Sequence, residues 1–304
     1  METVSKVAGI TITALQQGFG ASVRGVDLRQ PVAVDVFRQI EDAFNRYSVL
    51  VFPGQDLTDA QQIAFSERFG PQEPVANYTG VQKFRLQGAI SDLSNLDSQG
   101  NIWGEDSERR LFNRGNLLWH TDSSFKHVPA LASALSAREI PPEGGETEFC
   151  DLRAAYDALP QREKARIRGL VVEHSIFRSR ALLGVTTFHP DLMKHMPPVQ
   201  QRLVRRHPGS GRNTLYLASH ASHVIGWPLA EGRKLIEDLM EFATQRQFVY
   251  QHRWTLHDLV MWDNRCTMHR GMPYDDLKYR RDMHRTTVSD PCNTLEAASA
   301  PAHG

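Results

Sequence analysis

Apolar residues recur along the chain with two different spacings. Ile10–Ala14 and Ala21–Val26 are short β-prone runs, whereas Asp35–Tyr47 sets Val36, Phe37, Ile40, Ala43 and Phe44 on one face, which predicts an amphipathic helix. Ser48–Phe52 is a compact apolar run closed by Pro53-Gly54, a turn signal. Thr58-Asp59-Ala60-Gln61 has the form of a capping box ahead of Ile63–Phe69, a second helix stopped by Gly70-Pro71. From Gln72 to Asn116 the periodicity fades while Gly, Ser, Asn and Asp accumulate. Long loops forming a lid are expected there.

Leu117–Phe125 returns to β character and Leu131–Ala137 is a further apolar run. Pro141–Gly145 reads as a turn leading into Thr147–Cys150. Asp151 is a natural N-cap for a helix over Leu152–Leu159, followed by a charged helix over Gln161–Arg168. Val171–Ile176, Arg202–Arg206 and Thr214–Ser219 read as strands, the last two joined by the turn Pro208–Arg212. Leu229–Thr244 is amphipathic, with Leu235, Ile236, Leu239, Phe242 and Ala243 inward. Phe248–Trp254, Asp258–Asn264, Thr267–Met272 and Arg285–Val288 are close-set strands near the end. Many short strands with few helices predict a mainly β fold with peripheral helices around one barrel or jelly-roll core. A single domain over residues 1–304 is expected, with a flexible tail from 293 to 304.

Composition narrows the function more by exclusion than by suggestion. The chain has 304 residues, and 35 Lys+Arg balance 35 Asp+Glu. That balance supplies no bulk attraction to nucleic acid or to an anionic membrane, so neither is expected as a partner. No apolar run is long enough to cross a bilayer, and Met1–Gly20 lacks the basic head and apolar stretch of a secretion signal. Three scattered cysteines, Cys150, Cys266 and Cys292, are too few for a disulfide framework, which points to a reducing cytoplasmic compartment. The surface is compatible with a monomer or a homo-oligomer.

The local feature with the most chemistry in it is Trp119-His120-Thr121-Asp122. Residues two apart on a strand share a face, so His120 and Asp122 can meet one metal ion. Two histidines and one carboxylate on one face of a metal leave positions open, as in non-haem Fe(II) oxygenases. His269, on the predicted strand Thr267–Met272, supplies the second histidine. An HxD pair alone is weak, because most such pairs are solvated or hydrogen-bonded. The arginine cluster Arg280-Arg281-Asp282-Met283-His284-Arg285 strengthens it, since planar guanidinium groups bind carboxylates with paired hydrogen bonds. Arg281 and Arg285, four apart, fall on one strand face and can serve two different carboxylates. Without the upstream residues they would read as a solvated basic edge.

These residues resemble the TauD/TfdA-type family of Fe(II)/2-oxoglutarate-dependent dioxygenases, nearer to its 2,4-dichlorophenoxyacetate-degrading branch than to its taurine-degrading one. The likeness runs through Ser48–Gly54, Gln61–Gly70, Leu118–Phe125, Gly144–Pro160, His220–Val224 and Asp258–Gly271. The resemblance implies a double-stranded β-helix core, jelly-roll or cupin-like. It implies Fe(II) held by His120, Asp122 and His269, with 2-oxoglutarate and O₂ as cosubstrates. Thr147 and Arg281 match the pair that binds the distal carboxylate of 2-oxoglutarate, and Trp254 matches a cosubstrate-contacting tryptophan, though a large aromatic on a strand also packs readily as core. Arg285 matches the arginine that receives the anionic group of the substrate, Asn116 a pocket asparagine, and His220 part of the pocket lining.

The implied reaction hydroxylates a small anionic carboxylate, an aryloxyalkanoate such as 2,4-dichlorophenoxyacetate. The product falls apart to a phenol and a 2-oxoacid while 2-oxoglutarate becomes succinate and CO₂. The chain departs from that branch between Gln72 and Asn116, where the branch uses lysines toward the substrate carboxylate and this chain has only Lys83. Phe84, Ile90, Leu93, Ile102, Trp103 and Phe112 are the candidates there for an apolar wall. A taurine, alkylsulfonate or sulfate-ester dioxygenase is the alternative, because the same arginine can hold a sulfonate. A non-catalytic β-barrel binding protein and a zinc hydrolase are further alternatives, neither of which needs the 2-oxoglutarate arginine.

Overall fold

Leu259, Val260, Met261 and Trp262 are all buried, yet successive side chains on this strand enter two different cores. Leu259 and Met261 pack under helices, whereas Val260 and Trp262 face a second sheet, as the two-residue repeat of a strand requires. A computed structural model describes residues 4–7, 9–74, 85–86 and 88–297. Its largest sheet has eight strands in the order Val4–Val7, Ile10–Gln16, Phe19–Arg24, Val49–Phe52, Leu259–Asp263, Ala130–Glu139, Asp282–Ser289 and Ser91–Asp92. Every neighbouring pair is antiparallel except Phe19–Arg24 with Val49–Phe52. A three-stranded antiparallel sheet, Val249–His252, Thr147–Asp151 and Thr267–Gly271, lies across the core from it. Phe149 from the small sheet meets Leu135, Val260, Trp262 and Met283 from the large one. The two sheets form the expected mainly β core but do not close into a barrel through backbone pairing among the described residues.

Helices cover the outer faces. Val34–Tyr47 buries Phe37, Ile40, Ala43, Phe44 and Tyr47 and ends at Ser48, whose left-handed backbone (φ 62°) turns the chain into the next strand. Thr58 caps Asp59–Ser66 reciprocally: its hydroxyl accepts from the Gln61 N–H, and the Gln61 side chain accepts from the Thr58 N–H. Within that helix, the buried Gln62 donates to the carbonyls of Ala134 and His284 and accepts from the Ser136 hydroxyl, locking the helix to two central strands. Leu229–Ala243 and Leu152–Ala158 cover the other side, against Cys150, Val249 and Met268. No described helix is long and apolar enough to cross a membrane.

Of the expected strands, Thr214–Ser219 is a strand only over Asn213–Leu215 and Arg202–Arg206 is divided between Val199–Arg202 and Val204–Arg206, and two others differ in instructive ways. Leu117–Phe125 is not a strand. Residues Arg114–Leu117 form a 3₁₀ turn, only His120 makes a bridge, and residues 122–125 turn away. The ladder cannot continue because the Asp122 N–H is taken by the Asn264 side chain and Ser123 is left-handed (φ 53°). Val171–Ile176 stops as a strand at His174, since the Ser175 hydroxyl caps a new helix, Ile176–Ala181. At the C-terminal end, Asn293 and Thr294 are buried and bonded to His127, Gln200 and Gln201, so the chain is anchored there. Residues 298–304 of the expected tail lie outside the described residues, as do Lys83 and Phe84 of the expected lid.

Candidate active site

His120 and His269 come together through their backbones before their rings are considered. The His120 N–H donates to the His269 carbonyl at 3.0 Å, and the His269 N–H donates to the His120 carbonyl at 2.8 Å. This exchange brings the ring centroids to 4.1 Å. Asp122 reaches the pair from the turn that follows, with Oδ1 3.9 Å from His120 Nε2 and Oδ2 3.7 Å from His269 Nε2. One ligand atom from each of the three lies within 4.8 Å of the others, and all three residues are buried. Thus the HxD pair converges without the strand geometry expected of it. The Thr121 hydroxyl, which reaches the carbonyls of Leu217 and Thr267, fixes the residue between them.

The protonation of these groups suits a cation. The Leu118 carbonyl lies 2.7 Å from His120 Nδ1 and can only accept, so the ring proton sits on Nδ1 and Nε2 keeps its lone pair. Burial drives the pKa of both His120 and His269 down, which keeps both rings neutral. Burial pushes Asp122 the other way, but the Arg285 guanidinium, helped by the Ser133 hydroxyl, outweighs it and holds the carboxyl well below the usual range. Two neutral imidazoles and one carboxylate are the donor set that non-haem Fe(II) takes. A second cluster, His207, Asp263 and Cys266, does not offer this. Its Asp263 is spent on His207 at 2.8 Å and Arg265 at 2.6 Å, and burial pushes the Cys266 thiol up to about 12.

His120 and His269 border a cavity of about 140 Å³ that also takes in Thr147, Arg281, Arg285 and Asn116. Arg281 is half-buried beside Gly145, where an added Cβ would stand 3.1 Å from Pro141 Cγ and 3.5 Å from Arg281 Nε. The backbone there is left-handed (φ 71°). No described carboxylate pairs with this guanidinium; Nη1 has only the Leu93 carbonyl at 3.5 Å, and burial lowers its pKa. Beside it, burial pushes the Tyr274 phenol up to about 12, so that hydroxyl stays protonated. Trp254 does not line the cavity. Its indole N–H donates to Thr147 Oγ1 at 3.0 Å, which leaves the threonine's own proton for another acceptor.

Arg285 donates from Nη1 to Asp122 Oδ1 at 2.5 Å, while its buried Nε has no partner among the described residues. Arg281, Met283 and Arg285 alternate onto the core side as expected, although Arg281 precedes the strand proper and a register shift intervenes. Leu93 and Trp103 join Leu117, Leu135 and Met272 in the apolar wall, whereas Ile90 is buried elsewhere and the Phe112 side chain lies outside the described residues. Nothing in their spacing singles out Tyr274, Ser133 or Asn264; only the polar run Asp263-Asn264-Arg265 at the end of an apolar strand hints at the last.

His220 sits behind His120 rather than on the cavity, with Nδ1 2.9 Å from Ser179 Oγ and its ring edge-on to Phe125. His174, fully buried and stacked on Tyr216, is held neutral by burial, its pKa depressed to about 3. Unfolded histidine binds a proton near 6.5, so His174 contributes stability that is complete above that pH and lost as the pH falls toward 3. The expected loss is about 1.4 kcal/mol per pH unit for this one group. Urea unfolding between about pH 4 and 5.5 should therefore show a slope that shrinks by that amount in His174→Gln. An unchanged slope would remove His174 from the acid response.

The sequence matches the family model described as taurine catabolism dioxygenase TauD, TfdA family, over residues 11–287. It is 48% identical to the α-ketoglutarate-dependent 2,4-dichlorophenoxyacetate dioxygenase of Cupriavidus pinatubonensis, over 90% of this chain and 95% of that protein. It is 36% identical to the (S)-phenoxypropionate/α-ketoglutarate dioxygenase of Sphingobium herbicidovorans, over 94% of this chain and 98% of that one. Among solved structures, the crystal structure of AAD-2 with Mn(II) and N-oxalylglycine superimposes with a TM-score of 0.86 at 48% identity, covering 94% of this chain and 98% of that one.

Proposed function

Because the chain belongs to the TauD/TfdA family of dioxygenases, we propose that it is an Fe(II)/2-oxoglutarate-dependent dioxygenase that cleaves aryloxyalkanoates such as 2,4-dichlorophenoxyacetate. One observation carries this reading: His120 and His269, two of the three convergent donors, border the same cavity as Arg281, a desolvated guanidinium with no described carboxylate partner. A buried charge of that kind is costly unless an anion joins it. His120, Asp122 and His269 would hold the Fe(II), which when bound supplies the activation of O₂. Arg281 would clasp the distal carboxylate of 2-oxoglutarate with its planar fork, the free proton of Thr147 adding a third bond.

The other end of the cavity then takes the substrate. Arg285 keeps Nε for the substrate's carboxylate, close to the donor cluster, while Leu93, Leu117, Leu135 and Trp103 provide an apolar wall for an aromatic ring. Asn116 adds a polar group on the same wall, and of the lid expected over 72–116 the residues 93–116, beyond the Ser91–Asp92 strand, would cover the cavity. Anchoring the acid at Arg285 points the carbon between carboxylate and ether oxygen at the metal side, so the protein's contribution is placement. One oxygen atom of O₂ goes into succinate, formed with CO₂ from 2-oxoglutarate, and the other becomes a hydroxyl on that carbon. The hemiacetal so formed loses the phenol and leaves a 2-oxoacid.

Anaerobic titration of metal-free protein with Fe(II) and 2-oxoglutarate should produce the visible iron-to-ketoacid charge-transfer band. Under air, phenoxyacetate should then yield phenol and succinate in equal amounts. Folded protein that binds neither Fe(II) nor 2-oxoglutarate would end the dioxygenase reading. Faster release of sulfite from taurine than of phenol would transfer the activity to sulfonates, which the same guanidinium can hold.

A further inference from the structure

We propose that Asn264, acting through Ser133, is a positioning residue that restricts Asp122 to offering a single carboxylate oxygen to the metal. The proposal rests on the reading of Asp122 as a metal ligand. Asn264 Oδ1 receives two hydrogen bonds, from the Asp122 main-chain N–H at 3.1 Å and from the Trp262 indole N–H at 3.1 Å. Both partners can only donate, so the orientation of the carboxamide is determined and its nitrogen must lie at the other end. That nitrogen is 2.9 Å from Ser133 Oγ. An amide nitrogen only donates, so the Ser133 oxygen accepts there, and its own proton is turned toward Asp122 Oδ2 at 2.7 Å.

The chain of bonds therefore has one direction: Asn264 amide to Ser133 oxygen, Ser133 proton to Asp122. Asn264 and Ser133 are fully buried, Trp262 is 1% exposed and Asp122 4% exposed, so water has little access to compete for any of these bonds. Oδ2 accepts the Ser133 proton and lies 3.7 Å from His269 Nε2, while Oδ1 accepts from Arg285 Nη1 at 2.5 Å and lies 3.9 Å from His120 Nε2, so the carboxylate is pinned at both oxygens. A carboxylate held in this way resists the rotation that would let both oxygens chelate the cation. That matters because a second carboxylate oxygen would occupy a position that 2-oxoglutarate or O₂ needs. The Trp262 ring, fixed by the same amide, lies 4.6 Å from the His269 ring, so the device also braces the opposite donor.

The experiment measures Mn(II) affinity by calorimetry for wild type, Ser133→Ala, Asn264→Ala, the double variant and Asp122→Ala, with thermal melting to establish folding. Each single variant of the pair should bind Mn(II) about 10- to 100-fold more weakly, the usual effect of removing a group that supports a ligand. The double variant should be no more than about twofold weaker than Asn264→Ala, because the two residues act on one oxygen. In Ser133→Ala saturated anaerobically with Fe(II) and 2-oxoglutarate, the charge-transfer band should shift, which a purely structural role would not cause. Should Asn264→Ala fail to fold, Ser133→Ala decides alone. Wild-type affinity and an unmoved band in folded Ser133→Ala, with binding lost in Asp122→Ala, would overturn the positioning role and leave the metal site standing. Wild-type affinity in Asp122→Ala would instead remove the metal-ligand reading, and the proposal with it.

Discussion

His269→Ala should bind Fe(II) more weakly by well over the roughly 10- to 100-fold that follows loss of a supporting group, because it removes a donor outright. The charge-transfer band with 2-oxoglutarate should vanish and oxidation of any substrate should cease. The fold should survive. His269 is tied to the sheet by its backbone, through the exchange with His120 and the ladder to Phe149, and neither depends on the ring. What the variant loses structurally is the packing of that ring on Trp262 and Phe149, a local gap rather than a broken element. Calorimetry with Mn(II), alongside thermal melting, checks both halves. Retained metal affinity in a folded His269→Ala protein would show that the histidine pair is structural.

Arg281→Ala has the second largest expected effect, and its signature is selective. Truncating one partner of a buried, hydrogen-bonded charge pair costs about 2–5 kcal/mol, or roughly one and a half to three and a half orders of magnitude in affinity. That loss should appear in the KM for 2-oxoglutarate. The KM for the prime substrate, measured at saturating 2-oxoglutarate, should change little, since Arg285 rather than Arg281 is assigned to it. Comparable increases in both constants would count against the division of labour between the two arginines. The metal-free variant should melt at or above the temperature of wild type, because burial already depresses the Arg281 pKa and no described carboxylate compensates the charge. Arg281→Lys should recover only part of the affinity, since an ammonium keeps the charge but not the fork.

The parts of this site legible in the sequence are those in which chemistry restricts residue type. A metal needs histidine and carboxylate, so His120, Asp122 and His269 stand out, and carboxylate recognition does the same for Arg281 and Arg285. Local rules served equally well where the interaction itself is local, as in the reciprocal cap of Thr58 and Gln61 or the Asp151 cap on Arg153 and Ala154. They failed over Leu117–Phe125. Its β-prone composition suggests a ladder, but a side chain more than a hundred residues away, Asn264, takes the hydrogen bond the ladder would need. Ser133 is hidden for a related reason. A serine amid Ala130–Glu139 has no local signature, and its partners Asp122 and Asn264 come from distant parts of the chain. Trp254 illustrates a third case, in which one residue packs in the core and also orients Thr147.

The two walls of the cavity are built differently. Thr147, His269 and Arg285 stand on strands locked into ladders, whereas Trp103, Asn113, Asn116 and Leu117 belong to a segment of turns and short helical pieces. Exchanging residues on the second wall disturbs few backbone bonds, so laboratory libraries confined to it can vary ring size and side-chain branching in the accepted molecule while the oxidative apparatus is inherited intact. Such a partition makes the scaffold evolvable: substitutions that reshape the accepted molecule need not touch the metal donors or Arg281.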